Sequence, residues 1–118
     1  MTQRGLIAAA ALSAAMAVIA GAFGAHGAAS PQAAEWLRTG GQYQLIHAVA
    51  ALVLALDGRW RAVGGLMLAG GLVFAGTLYA MALGGPKWLG AVTPLGGAMM
   101  IAAWLWFALS ALRHPETR

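Results

Sequence analysis

Eight polar side chains could do chemistry in a chain that is 61% hydrophobic: His26, Gln42, Tyr43, Gln44, His47, Thr77, Tyr79 and Thr93. All can form hydrogen bonds, and the two imidazoles can also carry a proton or bind a metal ion. Inside a bilayer such groups mark proton or solute sites, and they equally serve as glue between helices at ~0.6–2 kcal/mol per hydrogen bond. Both readings stay open for His47, which interrupts the apolar run 45–56. His26 closes an apolar block, where an imidazole complements the helix dipole and reaches water. Zinc sites usually take three or four ligands, and Glu35 is the one anion near the two histidines, so no metal site is expected.

Nothing in the chain has the pattern of a catalytic constellation. There is no cysteine, and the three acids Glu35, Asp57 and Glu116 are scattered. A lone imidazole without an orienting carboxylate is a poor acid or base. Neither an enzyme nor a bound cofactor is expected. The glycine-rich run 21–27 lacks the preceding strand and following lysine of a phosphate-binding loop. His114 sits in a polar tail with Pro115, Glu116 and Arg118 and has no assigned role.

The elements that must position these groups are set by charge. Only seven basic and three acidic residues occur in 118, and they bound four uncharged blocks, 5–34, 39–56, 62–86 and 88–112. Roughly 20 apolar residues in a helix cross the ~30 Å hydrocarbon core of a bilayer. A soluble domain carries about 25% charged residues; this chain carries 8%. The pattern predicts an all-α integral membrane protein, a four-helix transmembrane bundle in one domain, 1–118. Its spans are expected at about 5–26, 42–57, 62–83 and 89–112. The first block also has features of a secretory signal, but its apolar run 5–25 exceeds the usual core of about 7–15 residues and reads as a retained span. Ser30-Pro31 is a helix start. A short interfacial helix, 31–38, is therefore expected between spans one and two. Glu35 would pair with Arg38, Trp36 and Leu37 would face lipid, and Gly40-Gly41 would end the helix.

Basic residues concentrate on the cytoplasmic side of a membrane protein. Arg4, Arg59, Arg61, Arg113 and Arg118 fall on one side of the alternation, and Arg38 and Lys87 on the other. Both termini are thus expected on the cytoplasmic side of the membrane. Trp36 and Trp88 would mark the outer interface, and Trp60, Trp104 and Trp106 the inner one. The net charge of +4 then serves topology, and no nucleic-acid partner is implied. In this arrangement the eight polar residues converge in the outer half of the bilayer.

Small residues suggest the helix contacts. Leu12, Met16, Ile19 and Phe23 form a bulky ridge suited to lipid, beside a smooth strip of Ser13, Ala17, Ala20 and Gly24. Such strips let helices approach closely where packing drives association. Gly21, Gly71, Gly76 and Gly97 are expected at further contacts.

The ordered set Gly21-Ala22-Phe23-Gly24-Ala25-His26, Gln42-Tyr43-Gln44 with His47, Phe74-Ala75-Gly76-Thr77-Leu78-Tyr79, Thr93-Pro94-Leu95-Gly96-Gly97 and Trp104 spans nearly the whole chain. It resembles the YgdD/YwdK-like family of small multi-pass membrane proteins, a domain of unknown function. The resemblance implies a four-helix protein of bacterial plasma membranes. It implies no activity, so these positions carry no role from it.

Three function classes remain. An accessory membrane protein would act through helix contacts, with the lipid bilayer, other membrane proteins or a homo-oligomer as partners. A small transporter or channel subunit would use the polar cluster as its entrance, though four short helices without a buried carboxylate enclose no wide pore alone. A membrane enzyme would need His47 as acid or base without an orienting group. The first reading is favoured.

Overall fold

The computed structural model describes residues 1–113; the tail containing His114, Pro115, Glu116 and Arg118 lies outside the described residues. Within them the chain is helical, in four long elements. These are α1 (Gln3–His26), α2 (Pro31–Ala55), α3 (Arg61–Ala82) and α4 (Thr93–Arg113). Local chemistry explains where each begins. Thr2 accepts from the Gly5 amide at 2.9 Å, and Ser30 accepts from the Ala33 amide at 3.0 Å, with Pro31 occupying the first position of α2. Each cap satisfies an amide that has no partner within its own helix. Asp57 caps the 3-10 turn Gly58–Trp60 through the Arg59 amide. Beyond α3 the chain reverses at Gly84, whose φ of +99° favours glycine. A second 3-10 turn, Lys87–Ala91, leads into α4, and Pro94 falls in the first turn of that helix.

The short helix expected at 31–38 does not exist as a separate element. Helix α2 runs unbroken for 25 residues through Gly40 and Gly41. Glycine weakens a helix by about 1 kcal/mol, but here both glycines are packing surfaces. A methyl at Gly40 would meet the Tyr79 ring at 2.8 Å, and one at Gly41 would meet the Ala17 carbonyl oxygen at 3.1 Å. Two adjacent glycines thus serve two different neighbours, α3 and α1. Leu37, expected to face lipid, is instead buried, its Cβ 3.0 Å from where a Gly24 methyl would stand. The Glu35–Arg38 pair does form, at 3.1 Å on the exposed side.

Helices α2 and α3 are the central pair; α1 lies mainly along α2, and α4 lies mainly along α3. The interior is built from small residues. Ala10, Ala17, Ala51, Ala75 and Ala103 are buried, while Leu12, Val18, Ile19, Ile101 and Leu105 are each more than 60% exposed. The ridge and strip expected on α1 separate in this way: Leu12, Met16, Ile19 and Phe23 point outward, and Ser13, Ala17 and Ala20 are buried. A surface this apolar is unfavourable in water and suited to lipid. Among the described residues, three helical segments are long and apolar enough to cross a membrane: Gln3–His26, Gly58–Ala82 and Lys87–Arg113. Helix α2 does not meet that criterion, because its first half carries Gln32, Glu35, Arg38, Gln42 and Gln44.

Two of the expected packing glycines are corrected. A methyl at Gly76 or Gly97 would enter open space, whereas one at Gly96 would collide with the Phe74 backbone. On α4 the contact with α3 is made one residue earlier, by Gly96 against the Phe74 backbone, while buried Ala75 backs onto α2, 3.4 Å from where a Gly40 methyl would stand. One residue turns a helix by about 100°, so an error of one position exchanges the protein side for the lipid side. A methyl at Gly71 would stand 3.3 Å from the His47 Cβ, so this glycine faces α2. Gly21 offers its backbone: its amide nitrogen lies 3.5 Å from a Gly41 methyl position.

Candidate functional site: a hydrogen-bonded layer between two apolar cores

Two apolar clusters occupy the two ends of the bundle. One unites Leu6, Ala10, Leu54, Met67 and Ala103; the other unites Ala20, Ala33, Leu37 and Ala82. Between them lie the buried polar side chains Ser13, Gln44 and His47.

Gln44 is only 1% exposed, and its whole amide is engaged. Its Nε2 donates to Ser13 Oγ on α1 at 2.9 Å and approaches the Met16 sulfur at 3.4 Å. Its Oε1 accepts from the Tyr79 hydroxyl on α3 at 2.6 Å. A flipped amide would set its oxygen against the Met16 sulfur, which has no hydrogen to donate. One side chain therefore ties three helices. A buried amide without partners costs about 1–3 kcal/mol, so the partners are required.

His47, one turn further along α2, is held at both ring nitrogens. Nδ1 lies 2.7 Å from the Tyr43 carbonyl oxygen, and Nε2 lies 3.0 Å from the indole Nε1 of Trp104 on α4. The carbonyl can only accept and the indole can only donate. The ring is therefore the Nδ1–H tautomer, with the Nε2 lone pair occupied. That lone pair is the one a metal ion or a substrate proton would need. Trp104 was expected at the inner interface; the structure places it beside His47, near the middle of α4. It is the partner that sequence spacing missed, because α2 and α4 are brought together only by α3.

A third link joins α3 to α4. The hydroxyls of Thr77 and Thr93 lie 2.7 Å apart, and they also reach the carbonyls of Phe74 and Leu89 at 3.0 and 3.2 Å. Tyr43 stacks near His47, with centroids 6.5 Å apart, and leans on Phe74 at 5.0 Å. Six of the eight residues singled out in the sequence thus enter two adjacent sets of contacts: Gln44 with Tyr79, and Tyr43, His47, Thr77 and Thr93 linked through Phe74. His26 and Gln42 do not; both are exposed. Because α2 begins at Pro31, Gln44 and His47 sit near the middle of a long helix rather than at the opening of a short one. Among the described residues, no three His, Asp or Glu side chains are grouped to hold a metal ion.

Apolar ridges outside, alanine and glycine inside and a buried polar layer between two cores define a small multi-pass membrane protein. The relatives agree. The chain is 36% identical over 114 residues to the UPF0382 membrane protein YwdK of Bacillus subtilis, covering 88% of this chain and 93% of the relative. It is 35% identical over 124 aligned positions to the UPF0382 inner membrane protein YgdD of Escherichia coli K12, covering 96% and 93%. The family described as "Protein of unknown function (DUF423)" matches residues 20–97, and the chain belongs to that family. No solved structure matches it.

Proposed function

We propose that the protein is a four-crossing accessory component of the plasma membrane, acting through helix contacts with other membrane proteins or with copies of itself, and not an enzyme. The observation that carries this reading is that the two buried polar side chains of α2, Gln44 and His47, are fully engaged. Gln44 and both nitrogens of His47 are bound to neighbouring protein groups. A proton relay or a general base needs a polar atom free to exchange partners, and this layer uses its atoms to join helices. The lipid-sized exterior of α1 and α4 then supplies the contact surface.

Length supports a fourth crossing by α2. Its 25 residues extend about 37 Å at 1.5 Å per residue, more than the ~30 Å hydrocarbon core. The polar first turns around Glu35 and Arg38 can stand in the headgroup layer while Gln44 is at depth. The five-to-two division of basic residues supports cytoplasmic termini. The reading is tested by reconstituting the purified protein in liposomes loaded with a pH-sensitive dye and imposing a pH gradient. Proton flux equal to that of empty liposomes is expected. Flux above that background, abolished by His47→Leu, would overturn the accessory reading in favour of transport.

A further inference from the structure

A half-open cavity of about 390 Å³ lies where α2, α3 and α4 meet, lined by Tyr43, His47, Phe74, Gly97, Met100, Ile101 and Trp104. Three aromatic rings and an imidazole surround a lining that also includes a thioether and a glycine. Flat ring faces and a polarizable sulfur suit another ring better than a flexible chain. At Gly97 the wall has room for a larger side chain, because nothing stands within 4 Å of where its methyl would be.

The polar inventory of the wall narrows the occupant. The His47 nitrogens and the Trp104 indole N–H are bound to one another or to the Tyr43 carbonyl. The remaining side-chain donor is the Tyr43 hydroxyl, which makes ring contacts but has no hydrogen-bond partner among the described residues. Tyr43 lies at the middle of α2, one turn from His47. If α2 crosses the bilayer, as proposed above, that hydroxyl stands at hydrocarbon depth, where an unsatisfied polar group is costly. Acyl chains carry no acceptor there, since their ester carbonyls stay in the interfacial layer.

We propose that this cavity binds the ring of a lipid-soluble quinone, with a ring carbonyl accepting from Tyr43 and the ring lying among Phe74, Trp104 and Met100. The ligand enters sideways from the bilayer and leaves its prenyl tail in lipid. The site binds without chemistry: the wall presents no free base or metal ligand. Such binding fits an accessory protein that holds a quinone near a partner, and it stands or falls independently of proton flux.

The test is a titration of the full chain in phosphatidylcholine nanodiscs with a short-chain prenylated benzoquinone, read by quenching of tryptophan fluorescence. Saturable quenching is expected. Gly97→Leu fills the cavity from an open position and should abolish saturation. Tyr43→Phe should weaken binding about fivefold or more, as loss of one buried hydrogen bond predicts. Circular dichroism and thermal melting verify that both variants remain folded. Quenching that rises linearly with quinone content and is the same in wild type and Gly97→Leu would reduce the effect to partitioning and overturn the proposal. So would efficient disulfide dimerisation of Ile101→Cys that Gly97→Leu prevents, because the cavity would then be covered by a second copy. Topology reporters on α2 check its crossing separately, so a failure of depth is distinguishable from a failure of binding.

Discussion

The side-chain amide of Gln44 donates to the hydroxyl of Ser13 across 2.9 Å of bundle interior, although the two residues are 31 positions apart. Through the same amide, Gln44 accepts from Tyr79, so one residue fixes the relative heights of α1, α2 and α3. Apolar alanine faces slide past one another with little change in contact, but a bonded amide at their centre permits one register. Buried polar groups are best attested in this registering role.

Gln44→Leu should destabilise the protein by about 1–3 kcal/mol, because it leaves the Tyr79 hydroxyl and Ser13 without their partner at depth. A double-mutant cycle with Ser13→Ala should give a coupling of about 0.6–1.7 kcal/mol. Reversible unfolding in mixed micelles measures both. Additive effects would mean the bond contributes nothing.

His47→Leu should lower the melting temperature, and so should Trp104→Phe, which removes the indole donor while keeping a ring. Each loses one interhelical bond of roughly 0.6–2 kcal/mol. The double variant should be little worse than the more damaging single one, since both remove the same link. Melting curves unchanged by His47→Leu would mean that the layer is not structural.

Helix phase gives a sharper contrast. Gly96→Ala should be strongly destabilising, because its methyl would collide with the Phe74 backbone and push α4 from α3. Gly76→Ala and Gly97→Ala should be neutral or stabilising by up to about 1 kcal/mol, since alanine is the better helix former and both positions are open. Thermal melts of the three variants decide the matter.

Topology is read with a periplasmic-active phosphatase and a cytoplasmic-active fluorescent protein fused after Arg118 in turn. The fluorescent fusion should be bright and the phosphatase fusion inactive, as the Lys and Arg distribution requires. The reverse pattern would invert the proposed orientation.

The sequence by itself determined that this is a helical membrane protein, that Ser30-Pro31 starts a helix, and that α1 carries a lipid ridge beside a small-residue strip. Those features depend on composition and on local periodicity, which are written along one segment at a time. It also named most of the polar layer, since polar side chains are conspicuous among alanine and leucine. What the tertiary structure decided was the partner of each group. Gly40 and Gly41 look like a helix end in isolation, and only the approach of Tyr79 and Ala17 makes them a continuous contact. The Gln44–Ser13 and His47–Trp104 bonds join residues 31 and 57 positions apart, and no local pattern encodes which helix will lie alongside. The choice between Gly96 and Gly97 turns on about 100° of helix rotation, which the packed bundle sets.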